Sequence, residues 1–131
     1  MRRDNMEYII IENEKIGQVK AKLLVDKNPK TCKAIWDALP LELHLSRWGE
    51  ELYGDIPVSI EPENPEQEVD IGDVAYWLSG SGFCIFWGRT PVSTSDKPKA
   101  ASDVNVFAQI EGDPTIFSQF RSFSGIVKKG N

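Results

Sequence analysis

Two short runs, Asp73-Val74-Ala75-Tyr76-Trp77 and Phe83-Cys84-Ile85-Phe86-Trp87, flank Ser79-Gly80-Ser81-Gly82. Both runs are apolar and rich in aromatic and β-branched residues, so each reads as a strand. The small residues between them read as a turn. A glycine-rich loop cradles phosphate where a helix N-terminus follows it. A strand follows here, so Gly80 and Gly82 are read as turn-makers.

Working outward, residues 104–110 give another strand. Asp113-Pro114 is a cap followed by proline, and opens a short helix through Ile116, Phe117 and Phe120. Residues 125–128 add a last strand. Upstream, Leu41, Leu43 and Leu45 alternate with Glu42, His44 and Ser46, as a half-buried strand does. Residues 51–56 are a short extended run ended by Pro57. Asn28-Pro29 has the form of a helix start. Cys32, Ile35, Trp36 and Leu39 then form one apolar stripe, so a helix is predicted over 29–39, stopped by Pro40. Residues 7–11 and 16–25 read as a hairpin, with Val19, Ala21 and Leu23 on one face. Residues 61–73 carry six acidic residues and no basic one, and read as a solvated loop; their spacing does not match an EF-hand. Residues 88–103 read as a long polar loop. Many short strands with two separated helices predict a mainly β protein, a closed barrel with helical plugs, because closure removes sheet edges.

Composition sets the bounds. The 131 residues make one domain, 1–131, and 40% hydrophobic content is enough for one core. No run is long enough for a membrane helix. The opening Met1-Arg2-Arg3-Asp4 is not followed by an apolar stretch of leader length, so a cytoplasmic location is expected. Fifteen basic residues stand against twenty acidic ones, net −5, with the basic residues scattered in pairs. A nucleic-acid binder needs a basic stripe, so neither nucleic acid nor an anionic membrane is expected as a partner. The two cysteines, Cys32 and Cys84, are read as reduced, buried thiols. The single histidine, His44, leaves little room for a metal site or a Ser-His-Asp triad, and no metal or cofactor is expected. A thiol–His44 pairing is conceivable, but no sequence feature brings the groups together.

The segments Asn28-Pro29-Lys30-Thr31, Ala34-Ile35-Trp36, residues 47–53 (Arg-Trp-Gly-Glu-Glu-Leu-Tyr), 72–77, 82–88 and Val104-Asn105-Val106-Phe107 follow one another in a familiar order. With them the chain resembles the cyclophilins, and more closely a group of small prokaryotic cyclophilin-like proteins of unassigned function. The resemblance implies a closed eight-stranded barrel capped by two short helices, with a ligand cleft on its outer face. True cyclophilins isomerise the bond before proline. They hold the ring in an apolar pocket while an arginine donates to the amide, which is electrostatic catalysis needing no base.

By this resemblance Arg47 takes the place of the family's arginine. An alternative reading is a surface arginine stacked on Trp48. Leu52 and Tyr53 take the place of apolar pocket residues. Asp55 replaces a glutamine and could pair with Arg47. Gly82 replaces a second glutamine, Cys84 replaces the phenylalanine flooring the proline pocket, and Trp77 stands where the family has a small residue. Residues 89–103 lack the family's cleft tryptophan and histidine.

Two main readings follow. One is a binding barrel that holds a small molecule or short peptide in a cleft formed by Arg47, Tyr53, Trp77, Cys84 and Phe86, with Leu52 and Asp55 beside it. The other is a weak or altered peptidyl-prolyl isomerase using Arg47. A lesser third is an interaction module with an exposed aromatic patch.

Overall fold

A computed structural model describes residues 6–130; the basic pair Arg2 and Arg3 lies outside them. The strands run β1 (Tyr8–Asn13), β2 (Gly17–Leu23), β3 (Leu41–Arg47), β4 (Glu51–Asp55), β5 (Glu66–Glu68), β6 (Asp73–Trp77), β7 (Gly82–Phe86), β8 (Lys99–Ile110) and β9 (Ser122–Lys129). One α-helix, α1 (Pro29–Ala38), and one 3₁₀ helix (Pro114–Gln119) complete the fold. The order around the sheet is β2-β1-β9-β3-β4-β7-β6-β8, and pairing of β2 with β8 closes it into an eight-stranded barrel. Every barrel pairing is antiparallel. The short β5 adds to β8 outside the ring.

Period-two alternation sorts the side chains between two cores. Leu43, Leu45, Leu52, Val74, Tyr76, Phe83, Ile85 and Phe107 face the barrel interior. Ala75, Cys84, Phe86, Val104 and Val106 face outward, and with Val69 and Ala100 they form a second, smaller core. Strands β6 and β7 are therefore covered on both faces, which explains their unbroken apolar sequences. A register shift in the β6–β8 pairing lets both Phe107 and Ala108 join the inner core.

Helix α1 buries Cys32, Ile35 and Trp36 of the expected stripe, together with Thr31, whereas Leu39 is the C-cap and only partly buried. Its cap differs from the expectation. Asn28 stands at the N-cap, but its side chain makes no capping bond. It donates instead to the Val106 carbonyl, 2.6 Å away, and accepts from the Asn64 amide. The first-turn amides of Lys30 and Thr31 are satisfied by the Glu63 carboxylate, each at 2.9 Å. A carboxylate suits this end of a helix because the exposed N–H groups carry partial positive charge. The acidic stretch is thus partly structural: Glu63 caps α1, and Lys27 Nζ lies 2.6 Å from Glu66. The stretch read as a polar loop over 88–103 is also corrected, since β8 begins at Lys99. No helix among the described residues is long and apolar enough to cross a membrane.

Candidate functional site

The barrel pairings set a row of outward side chains across three strands. Tyr53 on β4 faces Cys84 on β7, and Cys84 faces Ala75 on β6. Glu51 lies two residues before Tyr53, opposite Phe86 and on the same outer face. A cleft of about 250 Å³ opens over this row, lined by Trp48, Glu51, Tyr53, Trp77, Cys84, Ala100 and Ala101.

Its aromatic walls are fixed in place. Tyr53 and Trp77 meet edge to face, with ring centroids 6.3 Å apart and planes at 85°. The Trp77 indole N–H donates to Ser102 Oγ at 2.7 Å. On the other side the ring lies against the turn. A Cβ added at Gly80 would come within 2.3 Å of the Trp77 ring, and one at Gly82 within 3.3 Å. The left-handed backbone of that turn belongs to Ser81, φ 48°. Gly80 and Gly82 therefore do more than turn the chain, since they clear the space that Trp77 occupies.

Glu51 was not singled out by the sequence reading, and it is the most distinctive group in the cleft. It is 4% exposed, and its Oε1 has no hydrogen-bond partner among the described residues. Burial pushes its carboxyl up to about 8, while a hydrogen bond from the Cys84 thiol pulls the other way. The nearest sequence signal was its period-two relation to Tyr53. Recognising it also required the β4–β7 register, which one sequence does not supply. Trp48 was likewise missed as a wall, and Ala100 and Ala101 were hidden in the supposed loop.

The other expected site residues divide. Tyr53, Trp77 and Cys84 line the cleft. Phe86 shares the outward face with Cys84, but it is fully buried in the outer core beneath. Leu52 is a correction: it is 0% exposed inside the barrel, because alternation turns it away from Glu51 and Tyr53. Asp55 is exposed at the far end of β4, opposite Gly82.

Arg47 lies on the inward row of β3, after Leu41, Leu43 and Leu45, and reaches the barrel mouth. Its Nε donates to the Gly49 carbonyl at 2.8 Å and its Nη1 to the Ser118 carbonyl at 2.6 Å. The guanidinium sits 5.4 Å over the Trp87 ring. The expected stacking on Trp48 and pairing with Asp55 are both replaced by these contacts. Arg47 borders a separate surface depression with Gly49, Glu50 and Arg121.

The two thiols are equally buried, Cys32 at 0% and Cys84 at 1%. Cys84 stays buried although it lines the cleft, because it packs in the outer core with Phe86 and Val106. His44 is exposed on β3 beside Glu42 and Ser124, so it activates neither thiol. Among the described residues, no three His, Cys, Asp or Glu side chains converge as metal ligands.

A closed eight-stranded antiparallel barrel with a helix packed against it and a cleft on its outer face defines a cyclophilin-like domain. The family model described as cyclophilin-like matches residues 8–128, and the chain belongs to that family. The chain is similar to the solution structure of the hypothetical protein AF2241 from Archaeoglobus fulgidus, at 34% identity and a TM-score of 0.78. That match covers 99% of this chain and 100% of the other. It is also similar in fold to McbB, solved in complex with tryptophan, at 14% identity and a TM-score of 0.69. Here 94% of this chain matches 45% of McbB. No curated protein matches significantly.

Proposed function

We propose that this barrel is a small-molecule-binding protein whose site is the outer-face cleft of Trp48, Glu51, Tyr53, Trp77 and Cys84. One observation carries the reading: an apolar, aromatic-walled concavity holds a single buried carboxyl, Glu51. Ligand sites commonly combine apolar walls with a few orienting polar groups. At about 250 Å³ the cleft lies below the range of about 300–1,000 Å³ usual for drug-sized ligands, which favours a small molecule over a peptide.

Prolyl isomerisation finds less support. Two of Arg47's N–H groups go to the Gly49 and Ser118 carbonyls, and the side chain does not line the cleft. A donor stabilises a transition state only where it is aimed at the reacting amide, and this guanidinium is anchored over Trp87, outside the cleft lining. Cys84, standing for a phenylalanine, also removes an aromatic surface from the pocket.

Ala101 offers a direct test. It is exposed at the rim of the cleft, so Ala101→Trp fills the site without disturbing either core. Small aromatic fragments screened by ligand-observed NMR are expected to bind the wild type and to lose at least tenfold in affinity with the variant. The same protein is expected to leave cis-to-trans conversion of a proline tetrapeptide unaccelerated. Fragment binding unaffected by Ala101→Trp, or acceleration abolished by Arg47→Ala, would contradict the proposal.

A further inference from the structure

Glu51 poses a chemical question that the barrel leaves unanswered. A buried carboxyl is ordinarily paired or fully hydrogen-bonded, because leaving it unsatisfied costs more than a net hydrogen bond returns. Here Oε1 has no partner among the described residues, and the residues lining the cleft include no lysine, arginine or histidine. The cation that would satisfy it is not supplied by the walls. Those walls instead include three aromatic rings, Trp48, Tyr53 and Trp77, in the same cleft as one acid. Aromatic faces attract a cation through their quadrupole, more strongly when it is shielded from water.

We infer that the cleft is built for a small organic ammonium ion, its carbon skeleton against the aromatic walls and its nitrogen beside the Glu51 carboxyl. This inference rests on the reading of the cleft as a ligand site. Three further features agree with it. The net charge of −5 draws cations toward the protein. An anionic ligand would meet no positive side chain in the cleft lining and would be repelled once Glu51 ionised. Burial keeps that carboxyl protonated up to about 8, so an incoming cation would favour its ionised form and complete the ion pair. The other titratable groups lining the cleft are the Cys84 thiol, from β7, and the Tyr53 phenol, from β4 itself.

A matched probe pair tests the inference. Benzyltrimethylammonium and neopentylbenzene share a shape, and only the first carries a charge, one that no pH change removes. At pH 9, titration calorimetry with the wild type is expected to show the cation bound about tenfold more tightly, the ratio that about 1.4 kcal/mol gives. Glu51→Gln, which keeps the shape and removes the charge, is expected to erase this preference while neopentylbenzene still binds. Equal affinities in the wild type would overturn the cation inference and leave the cleft as a site for neutral ligands. Failure of both probes would overturn both readings together. If Glu51→Gln does not fold, the wild type alone decides. Its preference for the cation should grow between pH 6 and pH 9, and a preference that stays flat across that range overturns the inference.

Discussion

Glu51 carries a consequence for stability that needs no ligand. Burial pushes its carboxyl up to about 8 in the fold, against 4.5 as the ordinary value. The folded state therefore holds a proton that the unfolded chain has released. The stabilisation this gives is fully present below about 4.5, falls as pH rises, and is gone above about 8. At about 1.4 kcal/mol per pKa unit the loss is on the order of a few kcal/mol. Glu51→Gln removes this dependence. Urea midpoints are expected to show the variant gaining on the wild type between pH 5 and pH 9, whereas parallel curves would contradict a buried acid.

The thiols follow the same physics. Burial pushes Cys32 up to about 12 and Cys84 well above the ordinary thiol range. Thiolate is the reactive form, so native-state labelling by a disulfide reagent should be slow for both and limited by opening of the fold. Rapid labelling of either under native conditions would count against the packing described. Sequence made both cysteines legible as buried thiols, but not the partnership of Cys84 with Glu51. Nothing local joins residues 51 and 84, and only strand register does.

At the scale of elements, α1 was the most legible. Cys32, Ile35 and Trp36 occupy the apolar stripe read from their spacing and are buried in the barrel's core. Trp36 is 3% exposed, and Trp36→Ala should cost about 3–5 kcal/mol. Chemical denaturation measures this, and a loss under about 1 kcal/mol would show that the ring is not a core element. The capping of α1 was not legible, because Glu63 lies more than thirty residues downstream of the amides it satisfies. The strands themselves were read correctly wherever alternation or aromatic runs marked them. The start of β8 was missed for a physical reason: Lys99-Ala100-Ala101-Ser102-Asp103 has no strong strand formers, and pairing with β5 and β6 makes it extended. That miss hid the side of the cleft formed by Ala100 and Ala101.

For the whole molecule, closure of the ring by β2 and β8 leaves two distinct environments for aromatic side chains. The chain has four tryptophans, and the fold divides them. Trp36 and Trp87 pack into the barrel's core, whereas Trp48 and Trp77 line the outer cleft. Arg47 reports on the first environment through Trp87, and the proposed site reports on the second. One measurement separates them. In a two-dimensional NMR spectrum of tryptophan-labelled protein, titration with an aromatic ammonium probe should shift the indole N–H signals of Trp48 and Trp77. The signals of Trp36 and Trp87 should stay in place. Movement of the Trp87 signal with those of Trp48 and Trp77 unchanged would put binding at the Arg47 mouth, and would contradict the cleft as the functional site.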